Sequence, residues 1–215
     1  MTAYKKIDFE NWERKDHFLY YTEKLKVGYS MTVSLDVTNI VNKCKENNIK
    51  FYPAFIHCVS SVINETYYMR LFKNSENQLC YWDYVVPNYT IFHDDDKTFS
   101  DMWTDYSPDF KKFYNDMTED IKKYSDKKGV KIKDNQPPNF YCISCVPWIS
   151  FTGYCPYTAG GTPSLFPIIT FGKYTNENNR ISMPFNITIS HAACDGYHTG
   201  KFFEDVQKKI DSFEP

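Results

Sequence analysis

Apolar residues recur along the chain with two periods, and segments of each period are interleaved from one end to the other. Spacings of three and four predict helices. A short one covers residues 12–21, and a second follows an Asp36 cap through Ile40, Val41 and Cys44 to end near Asn47 and Asn48. A third opens at Pro53 and carries Phe55, Ile56, Val59 and Val62 on one face. Residues 109–125 set Phe110, Phe113, Met117 and Ile121 in a stripe opposite charged positions, and a last helix runs from Tyr197 through Phe202, Val206 and Ile210. Alternating runs predict strands over residues 29–37, 88–92, 139–147, 148–154, 166–174 and 180–190. Two hairpins complete the pattern, one turning at 74–77 between 68–72 and 79–83, the other at 175–179. Residues 126–138, with their lysines and Pro137-Pro138, predict a solvated loop. The pattern as a whole predicts an α/β protein of the α+β two-layer kind, a mixed β-sheet with helices packed on one side.

No linker-like stretch divides the 215 residues, so one domain over 1–215 is expected. With 18 Tyr and 17 Phe the chain has enough aromatic surface for a core and for an apolar ligand pocket. A formal net charge of -2 gives no global positive field for nucleic acid or an anionic membrane. The first residues lack the apolar run of a signal peptide, and nothing approaches the ~20 apolar residues of a bilayer span, so a cytoplasmic location is expected. Seven cysteines, an odd number, predict reduced thiols. Cys142-Ile-Ser-Cys145 has the CxxC form but sits in a strand-like run with no second pair, so no metal site is expected.

Chemistry concentrates at His191-Ala-Ala-Cys-Asp195-Gly196, where a predicted strand passes into a predicted helix. A neutral imidazole there has the pKa range to accept a proton from an alcohol near pH 7. The same spacing equally suits a strand-end histidine beside an Asp-Gly turn that caps the following helix.

Several separated segments resemble the trimeric, His-x3-Asp-Gly chloramphenicol acetyltransferases: Asn11-Trp-Glu-Arg14-Lys, Lys50-Phe-Tyr-Pro-Ala, Tyr89-Thr-Ile-Phe-His93, Thr98-Phe-Ser, Pro147-Trp-Ile-Ser-Phe151, Pro167-Ile-Ile-Thr170-Phe-Gly-Lys173-Tyr174 and the His191 segment. They occur in that family's order and cover nearly the whole chain. The resemblance implies a CoA-dependent acyltransferase fold and a homotrimer with sites at subunit boundaries. Acetyl-CoA would be a co-substrate, with no cofactor bound permanently, and a chloramphenicol-like molecule the acceptor. It implies that His191 is the general base, its ring fixed by a bond from its other nitrogen to its own carbonyl. Ser144 would donate to the thioester oxygen and Thr170 would hold a water. Asp195 would pair with Arg14 as structural support. Trp148 and Tyr174 would wall the CoA site and Lys50 and Lys173 would meet its phosphates, while Tyr20, Tyr21, Leu25, Val27 and Phe99 would line the acceptor pocket.

Two departures from the family pattern stand out. Ser190 replaces the usual second histidine, and residues 153–163 form a Gly/Pro-rich loop in place of an Asn-Leu-Asn pattern, which bears on the edge of the substrate tunnel. Two rival functions stay open on the sequence: acylation of another small hydroxyl compound, and sequestration of hydrophobic drugs without chemistry.

Overall fold

The computed structural model describes residues 3–156 and 163–215. Its larger sheet is built around β10 (Arg180–Ser190), where Ile181, Met183, Phe185, Ile187 and Ile189 are buried on one face and Asn186 and Thr188 lie on the other. That strict alternation decides which side must be covered. β2 (Gly28–Asp36) and β8 (Ile168–Gly172) flank β10 antiparallel. β7 (Phe140–Val146) and β5 (Val86–His93) follow in parallel, and β6 (Thr98–Trp103) closes the far edge antiparallel to β5. β9 (Thr175–Glu177) pairs with the start of β10.

The helices α2 (Thr38–Glu46), α3 (Phe51–Glu65) and α5 (Gly196–Asp211) cover the apolar face. Phe55 of α3 meets Phe171 of β8 and Phe185 of β10, and Phe185 also meets Phe202 of α5, with ring centroids 4.7 to 6.1 Å apart. Dispersion and apolar burial across this layer hold helix to sheet. α4 (Phe110–Tyr124), capped by Asp109, packs on α3. A second sheet, β1 (Tyr4–Lys6), β4 (Leu79–Trp82) and β3 (Leu71–Lys73), lies near the short helix α1 (Lys15–Leu19). Among the described residues no helix is long and apolar enough to cross a membrane.

The mixed sheet with helices alongside is the architecture the periodicity predicts, with local corrections. Residues 148–154 are not a strand: Pro147 ends β7, and Trp148 and Ile149 stay exposed. β1 and β6 were not anticipated. The 175–179 turn is tighter than expected, because Asn178 and Asn179 both take positive φ and leave Thr175–Glu177 free to pair. The 126–138 loop is not wholly solvated, since Ile132 is buried and the Asp101 N–H donates to the Val130 carbonyl at 2.6 Å. This covers part of the exposed β6 edge.

Candidate functional site

His191 follows the last residue of β10, in a turn stitched by Ser190. The Ser190 carbonyl accepts from the Ala193 and Cys194 N–H groups, and its hydroxyl accepts from the Ala192 N–H at 3.2 Å. Ser190, the departure from the family pattern, therefore does local work that needs only a small hydroxyl. The His191 N–H donates to the Val27 carbonyl at 3.0 Å, tying the turn to the segment before β2.

Two tyrosines fix the imidazole plane. Tyr21 stacks on it at 3.9 Å with planes 11° apart, and Tyr29 meets it edge-on at 5.2 Å. Tyr21 belongs to a π-helical turn, Tyr20–Lys24, that continues α1. The bond from the Leu25 N–H to the Tyr20 carbonyl, five residues apart, is the local cause of its displaced register. Sequence reasoning missed Tyr29, whose hydroxyl donates to Thr199 of α5 and whose pKa burial pushes upward. His191 Nδ1 is buried and has no hydrogen-bonding partner among the described residues. The expected bond to its own carbonyl is thus not formed; that carbonyl accepts from Arg14 Nη2 at 3.2 Å instead.

Arg14 and Asp195 form an ion pair, with the arginine side chain 6% and the aspartate side chain 32% exposed. Asp195 also caps α5 by accepting from the Tyr197 N–H. Burial raises its pKa, but His198 and Arg14 outweigh burial and hold the carboxyl below its usual range.

A second set of candidates assembles at the carboxyl ends of β5, β7 and β8, where parallel strands commonly open on ligand sites. A cleft of ≈ 570 Å³ there is walled by Phe51, Tyr52, Phe92, Trp148, Phe171 and Tyr174, with Lys173 at its edge. Trp148 is 58% exposed and meets Phe92 edge-on at 4.7 Å. Gly172 permits the close passage of the 147–149 turn: a Cβ there would lie 2.7 Å from the Ile149 carbonyl oxygen. Lys50 is exposed at the N-cap of α3, next to Phe51. An apolar slot with cations at its margin fits a long thioester carrier with phosphates at one end. Ser144 bonds Thr90 of the cleft wall at 3.3 Å and is in register with the buried Thr170. Cys145 also faces the cleft, as a thiol whose pKa burial pushes up to about 12. Cys142 and Cys145, an odd number of residues apart on β7, point to opposite faces of the sheet and cannot share a ligand.

The chain does not bring all the candidates together. Thr170 is in register with Asn186, five residues before His191 on β10. At roughly 3.3 Å per residue the two are separated by about 16 Å along the strand, and Ser144 lies one strand further away. Tyr20, Tyr21, Leu25 and Val27 cluster near His191, whereas Phe99 sits on β6 opposite Phe92, beside the aromatic cleft. A hollow of ≈ 250 Å³ bordered by Val27, Tyr29, Cys155 and Pro163 adjoins the histidine turn. Within the divergent 153–163 loop, residues 157–162 lie outside the described residues.

The family model described as chloramphenicol acetyltransferase matches residues 2–207. Chloramphenicol acetyltransferases from Clostridium butyricum and Staphylococcus aureus are each 39% identical over 208 residues, covering 97% of this chain and 95% and 96% of theirs. A solved chloramphenicol acetyltransferase superimposes with a TM-score of 0.83 at 21% identity, covering 97% of this chain and 100% of that one. A dihydrolipoamide acetyltransferase from Azotobacter vinelandii superimposes at 0.66 with 14% identity over 86% of this chain and 82% of its own, a likeness of fold. With sequence, length and fold in agreement, the chain belongs to the chloramphenicol acetyltransferase family of acyltransferases.

Proposed function

We propose that the protein is a chloramphenicol O-acetyltransferase, moving the acetyl group of acetyl-CoA to the primary hydroxyl of chloramphenicol or a close analogue and so conferring resistance. The observation that carries this reading is the His191 imidazole, clamped between Tyr21 and Tyr29 at the end of β10 in a chain of this family. Its Nδ1 is buried, so Nε2 is the nitrogen that meets a substrate and Nδ1 carries the proton. Nε2 takes the hydroxyl proton, the freed oxygen attacks the thioester carbon, and the carbon–sulfur bond breaks. The proton then passes from the imidazolium to the departing sulfur. No acyl-enzyme forms.

Ser144 donates to the oxygen that gains charge, and Thr170 holds a water beside it. Trp148 and Tyr174 receive the apolar stretch and the base of acetyl-CoA, with Lys50 and Lys173 at its phosphates. Tyr20, Tyr21, Leu25, Val27 and Phe99 line the acceptor site. The separation of about 16 Å between His191 and Thr170 supports a site shared by two copies, the histidine of one facing the cleft of the next, as in a homotrimer. Head-to-tail contacts of this kind close into a ring of three when each rotates the next copy by a third of a turn. Residues 1–215 act as one catalytic domain, without a resident cofactor or metal, in the cytoplasm, where acetyl-CoA is available and thiols stay reduced.

The test combines purified protein, acetyl-CoA and chloramphenicol, with thiol release followed in solution and the product located by mass spectrometry. A single acetyl on the primary hydroxyl is expected. Thiol release with another alcohol and none with chloramphenicol would replace the acceptor, and tight drug binding without CoA-dependent product would replace the reaction.

A further inference from the structure

The histidine turn contains a second imidazole to which neither the sequence pattern nor the proposed reaction gives a task. His198 lies one turn into α5, with its side chain 18% exposed and its ring meeting Tyr68 edge-on at 4.8 Å. Its Nδ1 is 2.6 Å from Asp195 Oδ1 and 3.5 Å from the Asp195 backbone nitrogen. One nitrogen cannot both donate to the carboxylate and accept from the N–H. The short contact decides the matter, because 3.5 Å is beyond the usual range for an N–H donor. Asp195 is paired with the Arg14 guanidinium and so is a carboxylate, which only accepts, and Nδ1 therefore donates.

The carboxylate is consequently gripped on both sides. Oδ1 accepts from His198 and from the Tyr197 N–H, and Oδ2 accepts from Arg14 Nη1. The other terminal nitrogen of Arg14 reaches the His191 carbonyl at 3.2 Å and the Ala192 carbonyl at 3.5 Å. A planar guanidinium fixed at one edge by a fixed carboxylate has its other edge fixed as well. The line His198, Asp195, Arg14, His191 runs unbroken from the first turn of α5 to the backbone of the candidate base.

We propose that His198 is a positioning residue for His191, acting through Asp195 and Arg14: its Nδ1–H orients the carboxylate that orients the guanidinium that holds the His191 carbonyl. This rests on the reading of His191 as the base. His198 touches neither substrate in this arrangement, so its loss slows the chemical step and leaves acetyl-CoA binding alone, because the aromatic cleft is built from other elements. Glutamine at this third helical position also reaches back toward the cap, and its amide NH2 is a donor that the carboxylate can accept from, so it substitutes in part where alanine does not.

The full-length protein and its variants would be assayed with acetyl-CoA and chloramphenicol, with far-UV circular dichroism and melting recorded for each. His198→Ala is expected to lower kcat roughly ten-fold, the scale of one hydrogen bond to a charged group, with KM for acetyl-CoA unchanged within about two-fold. His198→Gln is expected to regain most of the lost kcat. Adding His198→Ala to Asp195→Asn is expected to cost less than about two-fold more, since the two act on one line. Wild-type kcat in His198→Ala, equal impairment of the Ala and Gln variants, or a fully multiplicative loss in the double variant would each overturn the assignment. Should the alanine variant not fold, His198→Phe, which keeps a ring against Tyr68 but cannot donate, and its double with Asp195→Asn carry the same comparison. His191→Ala is run alongside: turnover surviving there removes the base reading itself, whereas an inactive His191→Ala beside an unimpaired His198→Ala removes the positioning role alone.

Discussion

The histidine turn and the aromatic cleft are built on opposite principles. The turn is a small cross-linked object: an ion pair, a helix cap, a stacked ring and several backbone bonds fix one imidazole. The cleft is an open surface of large side chains at strand ends, with Trp148 more than half exposed. A group that moves a proton must hold its geometry to a fraction of an ångström, whereas a group that receives a long flexible carrier works by area and shape. Substitutions in the turn should act on kcat, and those in the cleft on KM.

The sharpest way to break this contrast is His191→Ala, which should cost between about 10²- and 10⁴-fold in turnover while the association state by light scattering stays unchanged. Ser144→Ala should lower kcat about 10²-fold, because it removes the proposed donor to developing charge although it sits on the cleft side. These two inactive variants, unfolded and refolded together, should recover activity at about a quarter of the sites, one half times one half, if each site takes its histidine and its serine from different copies. No recovery would mean that one chain supplies both. Trp148→Ala should raise KM for acetyl-CoA about ten-fold and move the melting free energy by less than about 0.5 kcal/mol, since an exposed ring contributes to binding and little to folding.

The smallest effect expected is in pH dependence. Asp195 has its folded pKa depressed, so its contribution to stability is fully present above about pH 4, the unfolded carboxyl value, and is lost as the pH falls through the lower folded value. Acid unfolding monitored by tyrosine and tryptophan fluorescence should therefore be shallower below pH 4 in Asp195→Asn than in the parent. Among the described residues the cleft walls carry no carboxylate, and the cleft should add nothing to that slope.

The same contrast explains what the sequence disclosed. Helices and long strands were legible because one face of each is buried, as in β10 and α4, and burial writes a period into the chain. β6 was not, because its pattern is inverted: Ser100 is buried while Phe99 is exposed. Residues 148–154 misled for the related reason that their apolar side chains serve the cleft and its surroundings and not a core. In the turn, Arg14 and Asp195 were found by resemblance. His198 stood in plain view three residues after Asp195, at the position where a capping partner belongs, and Tyr29 left no signal beyond its place at the head of a strand. The gap between His191 and Ser144 left no mark in the periodicity, which records burial within one chain; only the resemblance, with its sites at subunit boundaries, pointed to a divided arrangement.

The Arg14–Asp195 contact joins residues 181 positions apart. Closing so long a loop costs conformational entropy that local contacts do not incur, so this link belongs among the late events of folding. In a refolding time course the helical signal should return first and acetyl transfer afterwards. A nascent chain that has already formed α2, α3 and the β3–β4 hairpin is still without its histidine turn, and completes it only when its last quarter folds back onto its first twenty residues.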